Sequence, residues 1–146
     1  MPKILIAEDD FMIADMTEEF LLAQGYEVCG IARTVADAIS LARQHGPDLA
    51  LLDLRLAEGG LGTQIASALA PFADLGILYA TGNISQVNLS ARDGHACLSK
   101  PYVPADLLRS LELVAGMVAT GTAPPPYPRG FAILAAEPPA SAGASR

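Results

Sequence analysis

Four short apolar runs in this chain each end in a polar, reactive residue. Ile4–Ala7 runs into Glu8, Asp9 and Asp10, the run from Asp48 ends in Asp53, Gly76–Ala80 runs into Thr81, and Ala96–Ser99 runs into Lys100 and Pro101. Short continuous apolar runs fit strands buried on both faces, as in parallel sheets covered by helices. If the four runs are parallel strands, their carboxyl ends share one edge of a sheet. An acid cluster, a hydroxyl and an ammonium then converge there, a set suited to divalent-metal binding and phosphoryl chemistry.

The segments between these runs read as helices. Ile13, Met16, Phe20 and Leu21 recur at helical spacing up to Gln24, with Gly25 as the stop. A second strand over Tyr26–Ala32 is interrupted by Glu27 and Gly30, which fits a sheet edge. Thr34 and Asp37 have capping-box spacing ahead of a helix to His45, and Gly46-Pro47 ends it. Leu54–Thr63 carries Gly59, Gly60 and Gly62 and reads as a flexible loop before a modest helix over Gln64–Leu69. Asn83 and Gln86 start a short polar fourth helix to Ala91; strand five covers His95–Ser99. Pro104 opens the fifth helix, whose apolar stripe is Leu107, Leu108, Leu111, Val114, Ala115 and Val118. Five strand–helix pairs in strict alternation predict an α/β fold: a doubly wound, five-stranded parallel sheet with helices on both faces.

Composition narrows the function. The chain has 146 residues, 51% of them apolar, enough for one core without disulfides or a structural metal. A net charge of −7 with only nine Lys and Arg argues against a phosphate-backbone surface, so direct nucleic-acid binding is not expected. Cys29 and Cys97 lie in apolar segments without metal-ligand spacing and read as reduced core thiols. The first apolar stretch is too short for a signal-peptide core or a membrane span, so a cytoplasmic protein is expected. Residues 1–120 form the expected domain. Beyond Thr120 six of the eleven prolines fall among Ala, Ser and Gly, and residues 121–146 read as a disordered tail. Its one apolar knot, Phe131-Ala-Ile-Leu134, carries the sharper alternative of a peptide that docks on the domain's own surface or on a partner.

In doubly wound sheets ligands bind beyond the carboxyl ends of the strands where the order reverses, here between strands one and three. Glu8, Asp9 and Asp53 would meet there, and three neighbouring carboxylates raise one another's pKa unless a cation offsets the repulsion. Oxygen ligands without His or Cys favour Mg²⁺ over zinc. Asp10 reads as the N-cap of the first helix, and His45 and His95 read as structural or solvated. Gly59-Gly60-Leu61-Gly62 is no phosphate cradle, because no lysine follows at P-loop spacing.

Four motifs, Ile4-Leu-Ile-Ala-Glu-Asp-Asp10, Leu51-Leu-Asp-Leu54, Tyr79-Ala-Thr-Gly82 and Lys100-Pro101-Tyr102, follow one another in an order and spacing that resembles the receiver domain of bacterial two-component response regulators. The resemblance spans about residues 2–120 and implies a flavodoxin-like strand order of 2-1-3-4-5. It implies that Asp53 accepts a phosphoryl group from a histidine kinase or histidine phosphotransfer protein. Glu8, Asp9, Asp53 and the backbone carbonyl of Arg55 would hold Mg²⁺, Lys100 would pair with phosphoryl oxygens, and Thr81 would donate its hydroxyl to one of them. A cis peptide is implied at Pro101. The surface of helix four, strand five and helix five would meet a downstream protein, and a homodimer stays open. The family usually carries an aromatic residue where this chain has Cys97, so Tyr79 or Tyr102 would take over as the moving ring beside Thr81. Ala80-Thr81-Gly82 is also similar to a subfamily of single-domain receivers with a Phe-Ala-Thr-Gly motif linked to general stress signalling, with Tyr79 in place of the Phe.

The resulting expectation is a stand-alone phosphoacceptor with no enzymatic or DNA-binding output of its own. The alternatives are a receiver fragment of a hybrid kinase, a constitutive binding module with a vestigial site, and a Mg²⁺-dependent phosphohydrolase. The last needs a second acid two residues after the nucleophile, where this chain has Arg55.

Overall fold

A computed structural model of the protein describes residues 2–71, 74–82 and 88–135. Five strands run parallel: β1 (Lys3–Ala7), β2 (Glu27–Ala32), β3 (Leu49–Asp53), β4 (Gly76–Thr81) and β5 (Ala96–Ser99). Their order is β2-β1-β3-β4-β5, which brings β1 and β3 side by side at the reversal point. The described helices are α1 (Phe11–Ala23), α2 (Val35–His45), α3 (Gly62–Leu69) and α4 (Pro104–Thr120).

Side chains alternate across each strand and so build two cores. Leu5, Ala7, Ala50, Leu52, Ile77, Tyr79 and Cys97 face α2 and α3, where Ala38, Ala42, Ile65 and Leu69 cover them. Ile4, Ile6, Leu49, Leu51, Leu78, Ala80, Ala96 and Leu98 face the other way, against Leu21 of α1 and Leu107, Leu111 and Val114 of α4. With apolar groups on both sides, β1, β3 and β4 cannot slip by one residue without exchanging the two cores. The strand ends are therefore held in fixed relation. β2 takes the edge beside β1, and a bulge interrupts their register between Ile4 and Leu5.

Caps set where the helices begin. Asp10 accepts the backbone N–H groups of Met12 and Ile13 at 3.0 and 3.2 Å, and Thr34 accepts that of Asp37 at 3.1 Å. His45 is exposed at the end of α2.

Three sequence expectations need correction. Leu54–Thr63 is not a free loop: Ala57–Gly59 forms a 3-10 turn, Arg55 bridges Leu61, and the Ala57 N–H reaches the Arg33 carbonyl at 3.0 Å. These backbone pairs satisfy groups that composition alone assigns to solvent. The fourth helix expected over Asn83–Ala91 falls partly outside the described residues, at 83–87. Its described end is not helical, since Ala91–Asp93 form a turn in which the Ser90 N–H binds the Asp93 carboxylate at 2.9 Å. The third correction concerns the carboxyl end. Phe131–Ile133 forms a sixth strand, β6, antiparallel to β5, so the sheet is mixed and the segment up to Ala135 packs on the domain. Residues 136–146 of the expected tail lie outside the described residues. Burial raises the pKa of both thiols, but only Cys97 is a core residue as expected; Cys29 is half-buried on the edge strand β2.

His95 does more than fill space. Its Nδ1 accepts the Ile77 N–H at 3.0 Å, and its own backbone N–H donates to the Ile77 carbonyl at 3.1 Å. Burial holds the imidazole below its ordinary pKa of 6.5. The unfolded chain thus binds a proton at a higher pH than the folded one, and stability falls as pH drops below about 6.5. Protonation at Nδ1 removes an acceptor worth about 1–3 kcal/mol when a buried donor is left unpaired. His95→Asn places an oxygen near that nitrogen and does not titrate. Between pH 7.5 and about 5.5, urea midpoints are expected to fall further for wild type than for His95→Asn, and equal losses would remove the histidine from the pH dependence.

Candidate functional site

The carboxyl ends of β1, β3, β4 and β5 bring Glu8, Asp9, Asp53, Thr81 and Lys100 to one edge. Glu8 and Asp9 follow β1 directly, Asp53 ends β3, Thr81 ends β4, and Lys100 follows β5. Among the described residues, Glu8, Asp9 and Asp53 offer one carboxylate oxygen each within 4.8 Å of one another. Lys100 joins them: its Nζ lies 2.7 Å from Glu8 Oε1 and 3.3 Å from Asp53 Oδ2.

Each side chain is aimed by backbone contacts. Glu8 is buried, and its second oxygen accepts the Asp10 N–H at 3.1 Å. Asp53 Oδ1 accepts the N–H of exposed Arg55 at 3.4 Å. Thr81 is buried opposite Ser99, and the Lys100 N–H donates to the Thr81 carbonyl at 2.8 Å. The main chain that carries the hydroxyl is therefore tied to the main chain that carries the ammonium. The Lys100–Pro101 peptide is cis.

The electrostatics follow from burial opposed by pairing. Desolvation raises the Glu8 pKa, with Asp53 adding to the rise, while the hydrogen bond from Lys100 only partly offsets it. For Lys100 burial acts downward, but the Glu8 and Asp53 carboxylates together outweigh it and raise its pKa. The ammonium is thus held charged beside an acid cluster that carries excess negative charge. That donor set fits Mg²⁺, whose oxygen ligands at about 2.0–2.1 Å stand roughly 3–4 Å from one another around the ion.

The matching family model, the response regulator receiver domain, covers residues 4–112. The chain belongs to the response regulator receiver family. This receiver is 36% identical over 115 residues to the transcriptional regulatory protein PdtaR of Mycobacterium tuberculosis, a match covering 76% of this chain and 55% of that protein. It is 31% identical over 107 residues to the phyllosphere-induced regulator PhyR of Methylorubrum extorquens, covering 72% and 40%. The chain thus spans about half the length of these curated relatives. In structure it is similar to a CheY-like receiver domain protein from Methanospirillum hungatei, with a TM-score of 0.72 at 26% identity over 83% of this chain and 98% of that one.

The two tyrosines named in place of the missing strand-five aromatic sit in different places in this receiver. Tyr79 is fully buried on the α2/α3 face and pairs in register with Cys97, and its ring edges lie beside Gly62 and Gly94, where a side chain would crowd them. Its hydroxyl donates to the Asp93 carbonyl at 2.6 Å, and burial raises its pKa. Tyr102 lies on the opposite face, half-buried against the α1/α4 core, and burial raises its pKa. It borders an apolar groove of about 500 Å³ lined by Ile13, Met16, Phe20 and Pro104.

Sequence reasoning missed the Tyr79–Asp93 bond, because nothing local links residues 14 positions apart. It also missed Gly62, which approaches the Asp53 carbonyl so closely that a side chain there would collide with it. Tyr79→Phe keeps the ring and leaves the Asp93 carbonyl without this donor. A loss of about 1–3 kcal/mol is expected in urea unfolding, together with faster amide exchange over residues 88–95. A variant as stable as wild type would mean that water replaces the phenol.

Proposed function

We propose that this receiver works as a stand-alone response regulator of a phosphorelay, with Asp53 as phosphoacceptor. A carboxylate oxygen of Asp53 forms a bond to phosphorus as the bond from phosphorus to the nitrogen of a donor phosphohistidine breaks. The electron pair returns to the imidazole of a histidine kinase or histidine phosphotransfer protein, which takes up a proton. The observation that carries this reading is the Lys100 ammonium, which bridges Glu8 and Asp53 at the junction of three strand ends.

The chain's own groups have separable tasks. Lys100 neutralises charge on the phosphoryl oxygens. Thr81 donates its hydroxyl to one of those oxygens, and the Lys100 N–H bond to its carbonyl passes any movement of β4 to β5. Glu8, Asp9 and Asp53, with the Arg55 carbonyl, would hold Mg²⁺. When bound, the ion neutralises the acid cluster and orients the phosphoryl oxygens. Phosphorylation adds roughly −1.5 to −2 charges at pH 7, enough to redistribute these contacts. Tyr79, tied to the segment that follows Thr81, is the better placed of the two tyrosines to sense the change. Arg55 stands where a phosphohydrolase would need an acid, so the reading is of a phosphoacceptor and not a turnover enzyme.

The partners proposed are the phosphodonor and a downstream protein, met through the segment after Thr81, β5 and α4. Exposed Phe11, Met12 and Met16 on α1 give a docking face beside the acid cluster. No helix among the described residues is long and apolar enough to cross a membrane, and we place the protein in the cytoplasm. The test is incubation with acetyl phosphate, with and without Mg²⁺, read as intact mass. A single Mg²⁺-dependent phosphoryl addition mapped to Asp53 is expected; no addition to the folded protein, from acetyl phosphate or from a phosphorylated phosphotransfer protein, would favour a constitutive binding module.

A further inference from the structure

The outer edge of β5 is covered by the chain itself. β6 pairs Ala96 with Ile133, Cys97 with Ala132 and Leu98 with Phe131. Bonds from Ser99 N–H to the Gly130 carbonyl and from Leu134 N–H to the His95 carbonyl, each 3.0 Å, flank this ladder. Because antiparallel pairs bond at alternate positions, the Ala132 N–H faces the Cys97 carbonyl between them. The cover is fitted on both faces: Phe131 packs against the α1/α4 core and Leu134 against the α2/α3 core. Gly130 makes the approach possible, since its φ of +83° is unfavourable for other residues and a Cβ there would lie 2.9 Å from that of Ser99.

The same cover is weakly built. It is three residues long, and Ala132 and Ile133 are exposed. Its tether, Gly121–Gly130, is tied to α4 near its start by Gly121 and Thr122 and further along by Arg109, which donates to the Pro124 and Pro126 carbonyls at 3.0 and 3.3 Å. Short strands with few buried contacts open at low cost. Beneath it lie Ala96, Cys97 and Leu98, all buried, whose edge needs a backbone partner. The cover also touches the switch region. Ser99, which holds Gly130, precedes Lys100, and the Ala135 carbonyl accepts the Ala91 N–H at 2.9 Å in the segment that Tyr79 holds.

We propose that the β5 edge is a strand-accepting docking site, filled in cis by Phe131–Leu134 and opened to a partner's extended segment of the same aromatic-small-aliphatic-aliphatic pattern when Asp53 is phosphorylated. The cis occupant displays what the edge accepts on each face, an aromatic ring against one core and an aliphatic chain against the other. The covered edge stands on geometry alone; its trigger rests on the phosphorylation proposed above. A short tether holds the cis segment at an effective concentration of about millimolar, so a free peptide at micromolar concentration is excluded until the cover loosens.

The test uses the full chain and a fluorescent peptide of residues 127–135, titrated by anisotropy. Ala132→Pro removes the central ladder N–H, and Arg109→Ala loosens the tether without touching the strand; circular dichroism checks that both fold. Peptide affinity is expected to rise about tenfold or more in Ala132→Pro and by less in Arg109→Ala. A peptide carrying Pro in place of Ala132 should not bind. If neither folded variant binds the peptide better than wild type, the edge is not a strand-accepting site. In the second arm wild type is treated with acetyl phosphate and Mg²⁺ while its mass is followed. Added phosphoryl mass with tighter peptide binding supports the trigger, and added mass without it overturns the trigger. Absence of added mass would count against the phosphorylation reading while leaving the first arm intact. A phosphorylated dimer that is lost in Ala132→Pro would give the edge to a second copy and overturn its assignment to another protein.

Discussion

Asp53→Asn is expected to gain no phosphoryl mass from acetyl phosphate and Mg²⁺ under conditions that load wild type, while keeping its fold. The amide has the shape of the carboxylate but neither its charge nor its nucleophilicity. It also loses the 3.3 Å pair with Lys100, which keeps Glu8 as a partner at 2.7 Å. Stability is expected to stay within about 1 kcal/mol of wild type, because the lost pair is offset by relief of the repulsion between Asp53 and Glu8. Intact-mass spectrometry and urea unfolding check the two halves separately. A folded variant that still takes up a phosphoryl group would place the acceptor elsewhere.

Gly62→Ala is expected to destabilise the protein by about 3 kcal/mol, the upper part of the usual range for overpacking. A Cβ on Gly62 would overlap the Asp53 carbonyl oxygen and lie 3.2 Å from its carbon, with the Tyr79 ring 3.4 Å away. Main-chain atoms cannot turn aside as a flexible side chain can, so α3 or the end of β3 must move. The Gly62 N–H bond to the Leu54 carbonyl, 2.9 Å long, holds the two together. The sign of the effect is diagnostic, since Gly→Ala in a helix ordinarily stabilises by roughly 0.5–1 kcal/mol. Moving the Asp53 backbone also displaces its carboxylate from Lys100, so phosphorylation should slow together with the loss in urea midpoint. A variant more stable than wild type would show that the contact relaxes freely.

Much of this was legible in the residues. The unbroken apolar character of Ile4–Ala7, Leu49–Leu52 and Gly76–Ala80 marks strands with no solvent face, and the polar residue after each run marks the site edge. Asp10 and Thr34 cap their helices because a short side-chain oxygen there meets otherwise unpaired N–H groups. These are local rules, acting over a few residues, and local spacing is what a sequence displays.

Contacts between distant segments followed no such rule. The glycines at 59, 60 and 62 suggest freedom, yet Gly62 is required by a backbone that only tertiary packing brings beside it. The Pro-rich composition after Thr120 suggests a solvated tail, yet an uncovered β5 edge gives Phe131–Ile133 a ladder to complete. Hydrophobic period and capping, which are properties of neighbours along the chain, already marked the five parallel strands, the first three helices and the last one, and the chemical types gathered at the strand ends. It took the folded arrangement to show that Lys100 bridges Glu8 and Asp53, that Tyr79 reaches Asp93, and that of the two readings of Phe131–Leu134 the docked one holds, with the β5 edge as its place. These depend on which elements lie side by side, and burial makes each unpaired group costly enough to select its partner.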